Sequence, residues 1–92
     1  MPEAKFPLGR ILATPGSLKA FSDAHEEPLT YLTRHASGDW GDVDREDWEE
    51  NDQCINRKLR IFSAYHLHDG TKVWIITEAD RSATTILLPH EY

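Results

Sequence analysis

The chain has 92 residues and a formal net charge of −6, from ten Lys and Arg against sixteen Asp and Glu. This length fits one domain and excludes a multi-domain enzyme, while 39% hydrophobic residues supply enough apolar bulk for a folded core. The acidic balance argues against direct binding of nucleic acid, because affinity for the phosphate backbone depends on a basic surface.

The cellular compartment is indicated by the single cysteine and by the start of the chain. Cys54 is the only cysteine, which excludes an intramolecular disulfide and a zinc site made of several cysteines. No apolar run is long enough to cross a membrane, and residues 1–5 lack the basic stretch and apolar core of a secretion signal. We therefore expect a cytoplasmic protein with no membrane segment.

The first elements predicted along the chain are a strand and a helix. The apolar segment Leu8–Ala13 indicates a strand. Thr14 and Pro15 then form an N-cap followed by proline at the first helical position, where its missing N–H is tolerated. Leu18 and Phe21 follow at helical spacing and indicate the apolar side of this helix.

Two further helices are predicted between the first helix and the second half of the chain. One begins near Pro28, after two acids that suit the positive end of a helix dipole, and runs with an apolar stripe of Leu29 and Leu32 until Gly38 ends it. The other begins at the N-cap Asp44. Its inward side chains are Trp48, Cys54 and Ile55.

From residue 59 onward the pattern changes to strands. The segments Leu59–Leu67 and Lys72–Thr77 flank an Asp-Gly pair, which predicts a hairpin with a two-residue turn. A two-residue turn places Tyr65 opposite Trp74. The face predicted to meet the core then holds Ile61, Tyr65, Leu67, Trp74 and Ile76. The opposite face holds Phe62, Ala64, Val73 and Ile75, so it too should be covered by a helix, a partner or a second subunit.

A turn at residues 79–82 leads to a last strand, Ala83–Leu88, which Pro89 ends. The predicted order is β-ααα-βββ in a single domain spanning residues 1–92. The fold class is α+β, with about three short helices packed on a three-stranded antiparallel meander and the N-terminal strand as a possible addition to it.

Residues 39–52 carry eight acids and one base, Arg45, so eight minus one leaves −7 in this segment and +1 in the rest of the chain. Such a segment can bind a cation, dock a basic partner, imitate DNA or simply be a solvated helix face. A calcium loop is disfavoured, because Asp47 stands where the loop needs glycine and Gln53 where it needs glutamate. Imitation of DNA needs about twelve charges over about 20 Å, and residues 44–56 offer six acids.

The acidic segment supplies the residues that we expect to contact a partner. They are Asp39, Trp40, Asp44, Glu46, Asp47, Glu49, Glu50 and Asp52. Trp40 is flanked by glycines and has a second interpretation, in which it fills the core instead of anchoring a partner.

A second constellation suits a small ligand-binding or hydrolytic site. It combines a base with an orienting acid and a turn that carries a guanidinium and a hydroxyl. Its members are His35, Asp39, Asp80, Arg81 and Ser82. His66 and His68 lie two residues apart but lack a third protein ligand, so no metal site is predicted. No glycine-rich phosphate loop is present, and no cofactor is predicted.

Residues 35–42, HASGDWGD, and the strings DGTKVWIITEADRS and LPHEY near the C-terminus carry a family resemblance. Over nearly its whole length the chain resembles small bacterial proteins labelled plasmid-related, which have no established activity. Some of them are labelled as the modification subunit of a type I restriction enzyme. This chain is too short for a methyltransferase domain and lacks its glycine-rich loop. The resemblance implies a bacterial accessory protein associated with plasmids or other mobile DNA.

Taken together, these features predict a non-enzymatic interaction protein that docks a basic protein surface. The alternatives are a small ligand-binding or hydrolytic domain and an inhibitor that mimics DNA. A homodimer formed through the second sheet face, around Phe62, Val73 and Ile75, is a further possibility.

Overall fold

Four strands form one mixed sheet in the computed structural model, which describes residues 4–92. The strands are β1 (Arg10–Ala13), β2 (Ile61–His66), β3 (Lys72–Thr77) and β4 (Ala83–Leu87). Their order is β1-β4-β3-β2. The meander of β2, β3 and β4 is antiparallel, whereas β1 pairs in parallel with β4. The predicted α+β class and element order are confirmed, and the N-terminal strand makes the sheet mixed.

Three helices lie between β1 and β2, as the capping pattern predicts. They are α1 (Pro15–Ala24), α2 (Pro28–Ala36) and α3 (Arg45–Arg57). The Thr14 side chain accepts a hydrogen bond from the Ser17 N–H at the start of α1, and the Asp44 side chain accepts one from the Asp47 N–H at the start of α3. No helix of residues 4–92 is long and apolar enough to cross a membrane.

The predicted hairpin exists, but its predicted register is wrong by one residue. Tyr65 pairs with Val73 and Ala64 with Trp74. The Gly70 N–H bonds to Leu67 O and the Leu67 N–H bonds to Thr71 O, so three residues form the loop, with Gly70 at a positive φ of 89°. The loop ends in a glycine bulge at Gly70, and its extra residue exchanges the two faces of β3.

On β3, the side chains that meet the helices are therefore not the predicted ones. Val73 and Ile75 are wholly buried against the helices, while Trp74 and Ile76 lie on the opposite face with Phe62. Of the three residues predicted to form a dimer surface, Val73 and Ile75 face the helices and only Phe62 lies on the opposite face. A dimer built on these three residues as one surface is consequently ruled out.

The core has two parts, which share the half-buried Leu8. The larger part packs α1 and α2 on the sheet, and the smaller one packs Phe6, Trp40, Cys54 and Ile61 between α3 and the edge of β2. Two leucines predicted to face inward do not: Leu18 is 51% exposed and Leu29 is 66% exposed.

Candidate functional site

The acidic segment divides into carboxylates with internal partners and carboxylates without them. Asp39, Asp42, Asp44, Glu49 and Asp52 each accept a hydrogen bond from another group of the chain. In residues 4–92, the remaining three carboxylates of the segment, those of Glu46, Asp47 and Glu50, have neither a hydrogen-bond partner nor an ion pair. All three are exposed. We call these three residues the acidic patch.

The acidic patch occupies one side of α3. Positions 46, 47 and 50 are separated by one, three and four residues, so Glu50 lies next to both of the others on the helix surface. Like charges three or four residues apart disfavour a helix slightly. Glu46 and Asp47 lie in the first turn of α3, where the helix dipole favours acids, so the stability of the helix explains these two positions but not Glu50.

A small cleft lies between this side of α3 and β2. Its volume is about 180 Å³, and it is lined by Asp47, Glu50, Asn51, Cys54, Arg60 and Phe62. The Arg60 guanidinium is held by the Tyr92 hydroxyl at 2.7 Å and by the Glu78 carboxylate at 3.5 Å, so it does not pair with the acidic patch. The cleft thus combines two unpaired carboxylates with Phe62 and with an arginine that is bound elsewhere.

The buried side of α3 is fixed to the sheet by polar contacts that leave the patch exposed. The Asn51 amide donates to Phe62 O at 2.6 Å and accepts from the Phe62 N–H at 3.3 Å. The Trp40 indole N–H donates to Asp52 at 3.0 Å. Burial, followed by the nearby Glu50 carboxylate, raises the pKa of the Cys54 thiol, which keeps this cysteine protonated and poorly nucleophilic.

Trp40 has no exposed surface. Its ring packs against Phe6 and His35, so it fills the core, and it does not reach a partner in this conformation. Asp39 is also committed internally, since its carboxylate accepts from Arg34 at 2.7 Å and from the Gly41 N–H at 3.1 Å. Burial alone would raise the pKa of Asp39, but these two hydrogen bonds and the Arg34 charge hold it below its ordinary value.

His35 belongs to a hydrogen-bonded chain that crosses the sheet beneath the helices. Its Nδ1 lies 2.5 Å from Ser63 Oγ on β2, and its Nε2 lies 2.9 Å from Thr77 Oγ1 on β3. Thr77 Oγ1 contacts Thr84 Oγ1 on β4 at 2.7 Å, and Thr84 donates to Leu8 O at 2.7 Å. We call these five groups the buried polar chain.

The last bond fixes the direction of the bonds back to Nε2 of His35. Because Thr84 donates its one proton to a carbonyl, Thr77 donates to Thr84, and His35 Nε2–H donates to Thr77. Burial, and next the Arg81 charge, lowers the pKa of His35 to about 3, so the ring is neutral at neutral pH. With its proton on Nε2, the neutral ring accepts from Ser63 at Nδ1.

This chain contains a serine and a histidine at hydrogen-bond distance, the pair that hydrolases use for nucleophilic attack. Both His35 and Ser63 have no exposed surface, so no substrate reaches Ser63 Oγ in this conformation. Asp39 does not orient the ring either, because its carboxylate binds Arg34. The arrangement stabilises the sheet and lacks the access that hydrolysis needs.

Arg81 and its neighbours also have structural partners. The guanidinium donates to backbone carbonyls, with distances of 2.7 Å to Leu59 O and 2.8 Å to Cys54 O, and it lies over the Phe6 ring. Asp80 accepts from the Ser82 N–H at 3.0 Å. Of the five residues proposed for a ligand site, His35 and Arg81 both contact Phe6. Asp80 lines a surface pocket with Arg81, whereas Asp39 is bound to Arg34.

The two histidines near the hairpin do not converge. His66 Nδ1 lies 2.6 Å from the Asp42 carboxylate, whereas His68 is in the turn and its N–H donates to Glu26 at 2.7 Å. Throughout residues 4–92, no group of three or more His, Cys, Asp or Glu side chains is arranged to hold a metal ion.

Comparisons of the chain with protein-family models, with curated proteins and with solved structures find no match. The resemblance carried by residues 35–42 and by the C-terminal strings therefore stays an expectation. The support for a function comes from the contacts described above. Sequence reasoning named the acidic patch but missed Asn51 and Ser63, because a lone Asn or Ser has no spacing pattern that reveals a distant partner.

Proposed function

We propose that this protein is a small non-enzymatic interaction protein, which docks a basic surface of another protein through the acidic patch on α3. The observation that carries this proposal is the cleft beside α3, where the unpaired carboxylates of Asp47 and Glu50 adjoin the ring of Phe62. The other acids of the segment outside the acidic patch have internal partners, and of these two carboxylates only that of Asp47 lies in the first turn, where it also favours α3.

The chemistry of the cleft suits an arginine or lysine side chain. Such a side chain has an apolar stem and a charged end, so it can lay the stem on an aromatic ring while the end meets carboxylates. The volume of about 180 Å³ is of the size of one side chain and smaller than common small-molecule sites. Glu46 extends the acidic patch beyond the cleft and adds to the attraction of a basic partner.

The resemblance to plasmid-related bacterial proteins supports the same proposal. An accessory protein of mobile DNA acts on host machinery, and host proteins that handle nucleic acids have basic surfaces. In this proposal the protein acts in the cytoplasm, where such partners are found. It needs no cofactor for binding of this kind.

The same geometry gives less support to the two alternatives. Imitation of DNA requires a dense row of free charges, and in the described chain only three carboxylates of the acidic segment are unpaired, on one side of one helix. A hydrolytic role requires an accessible nucleophile, and Ser63 on β2 is buried beneath α2.

The test is capture of a partner from a nuclease-treated bacterial lysate, followed by affinity measurement with the purified partner. The variant D47N/E50Q removes both carboxylates of the cleft. The matched control D23N/E27Q removes two exposed acids elsewhere and changes the net charge equally. We expect the first variant to weaken binding about ten-fold or more and the control to change it little, with binding weakened further by salt.

Two results would contradict the proposal. Equal weakening by both variants would mean that only net charge matters, and unchanged binding by D47N/E50Q would mean that the acidic patch is a solvated surface. Thermal unfolding of both variants checks that the fold is retained, because neither pair of residues has a buried side chain.

A further inference from the structure

The outer edge of β1 has free backbone groups. The N–H groups of Arg10 and Thr14 donate to Ser82 O and Ile86 O on the β4 side. Since successive residues of a strand point their backbone groups to opposite sides, Ile11 and Ala13 direct their N–H and C=O groups away from β4. In residues 4–92 no strand lies on that side of β1.

Two large apolar side chains of β1 are unusually exposed. Ile11 is 48% exposed on the helix face, and Leu12 is 41% exposed on the opposite face. Beside Ile11 runs a groove of about 270 Å³, lined mainly by apolar groups that include Leu8, Leu29 and Leu32. A free strand edge with an adjoining apolar groove is the surface that binds another strand.

We propose that the occupant is the β1 of a second copy of this chain, in antiparallel pairing about a two-fold axis at Leu12. With Ile11 opposite the partner's Ala13, and Ala13 opposite the partner's Ile11, both pairs exchange two hydrogen bonds. All the free backbone groups of the two residues are then satisfied. The two copies form one continuous sheet, with the two Leu12 side chains adjacent on the axis.

Charge complementarity supports this register. In this register Arg10 lies opposite the partner's Thr14. Within each chain, the Thr14 hydroxyl donates to the Glu91 carboxylate at 2.6 Å. Arg10 makes no ion pair within the described chain, so the pairing brings its guanidinium towards the partner's Glu91. The two-fold axis repeats this contact, which gives one such pair on each side of the axis.

Pairing at β1 leaves the acidic patch free, because α3 lies beside β2 at the other edge of the sheet. The dimer would thus present two acidic patches, one towards each end of the continuous sheet. This inference does not depend on the proposed function, since it concerns a different surface and a different measurement.

The experiment measures mass by sedimentation over about a hundred-fold range of protein concentration, for the natural chain and for three variants. Leu12→Glu and Leu12→Lys each place two like charges on the axis. We expect the natural chain to dimerise and each variant alone to be monomeric. An equimolar mixture of the two variants should dimerise again, because opposite charges then meet on the axis. Leu59→Glu is the control, since Leu59 is an exposed leucine outside β1, 49% exposed.

A natural chain that is monomeric at every concentration would overturn the proposal. So would a dimer that persists in Leu12→Glu, or one that Leu59→Glu abolishes instead. Amide exchange adds a readout at the backbone: the N–H groups of Ile11 and Ala13 should become protected only at dimer-forming concentrations, whereas that of Thr14 is protected in the monomer by its bond to Ile86 O.

Discussion

The two edge strands of the sheet differ in how their outer backbone groups are satisfied. At β2 the chain itself supplies the partners: Ala64 donates to Trp40 O, the Asp42 N–H donates to Ala64 O, and the Asn51 amide bonds both groups of Phe62. At β1 the described chain supplies none, and two apolar side chains face solvent.

The comparison shows that closing a strand edge takes specific residues and not apolar surface alone. The segment that covers β2 has a glycine, Gly41, where the backbone passes closest, and an asparagine whose side chain has one donor and one acceptor to match a peptide group. An edge without such residues keeps its capacity to pair. The predictions below test this difference by opening the β2 edge and by changing the β1 edge.

The largest effect is expected from Gly41→Ala at the closed edge. Gly41 has a φ of +75°, and an added Cβ would lie 2.1 Å from Ala64 O and 2.6 Å from the Tyr65 ring. Unfavourable backbone conformation and the steric clash should together cost about 3–5 kcal/mol in the free energy of unfolding, as measured by urea denaturation.

Gly70→Ala is the matched control for this prediction. Gly70 has a similar φ of +89°, but nothing lies within 4 Å of an added Cβ. It should therefore cost only about 1–2 kcal/mol, from the backbone alone. Equal losses in the two variants would show that close approach at the β2 edge does not matter.

The next largest effect is a loss of stability in acid, which arises in the buried polar chain that links β2 to the segment before β1. The pKa of His35 is about 3 in the folded protein and 6.5 ordinarily. The unfolded chain therefore takes up a proton at higher pH than the folded one, so stability falls as pH decreases below 6.5. Between pH 7 and pH 5 the fall from this group should be about 2 kcal/mol.

His35→Gln isolates this contribution. The variant should be less stable at pH 7, because its side chain cannot replace both bonds of the imidazole, but its stability should change less between pH 7 and pH 5. The measurement is the free energy of unfolding from urea denaturation at pH 7 and at pH 5. An equal change between these two pH values in the natural chain and in His35→Gln would disprove the buried neutral ring.

The third prediction concerns Asn51, whose amide completes the closed edge. Asn51→Ala leaves the N–H and C=O of Phe62 without their side-chain partner, which should cost about 1–2 kcal/mol, because water entering from the cleft replaces part of the lost bonding. Hydrogen exchange at the Phe62 backbone amide should also become faster in Asn51→Ala. Gln53→Ala, at an exposed site on the same helix, should leave both quantities nearly unchanged.

These contacts also explain which features of the structure could be predicted from the sequence and which could not. Local signals predicted the starts of α1 and α3, since Thr14 and Asp44 cap them within three residues. The hairpin was predicted at the right place, but the Asp-Gly pair suits both a two-residue turn and the longer turn observed. That single residue changed the face of every side chain in β3.

Contacts between distant residues left no such local signal. Asn51 meets Phe62 across 11 positions, and His35 meets Thr77 across 42. The acidic patch was included among eight predicted contact residues, but only the folded chain separates its three free carboxylates from the acids that cap, bond to an indole or pair with arginine. Charge density is visible in a sequence, whereas the partners that neutralise it depend on the fold.

The smallest effect is expected at the open edge, and the same substitution at both edges makes the contrast direct. Ile61 in β2 is wholly buried, whereas Ile11 in β1 is 48% exposed. Ile61→Thr places a hydroxyl in the core and removes packing, at about 2–4 kcal/mol. Ile11→Thr should change stability by less than about 1 kcal/mol when measured in dilute monomer, since threonine also favours strands. If Ile11→Thr cost as much as Ile61→Thr in the monomer, the Ile11 side chain would be packed against its own chain. The edge of β1 would then not be the free surface on which pairing with a second copy depends.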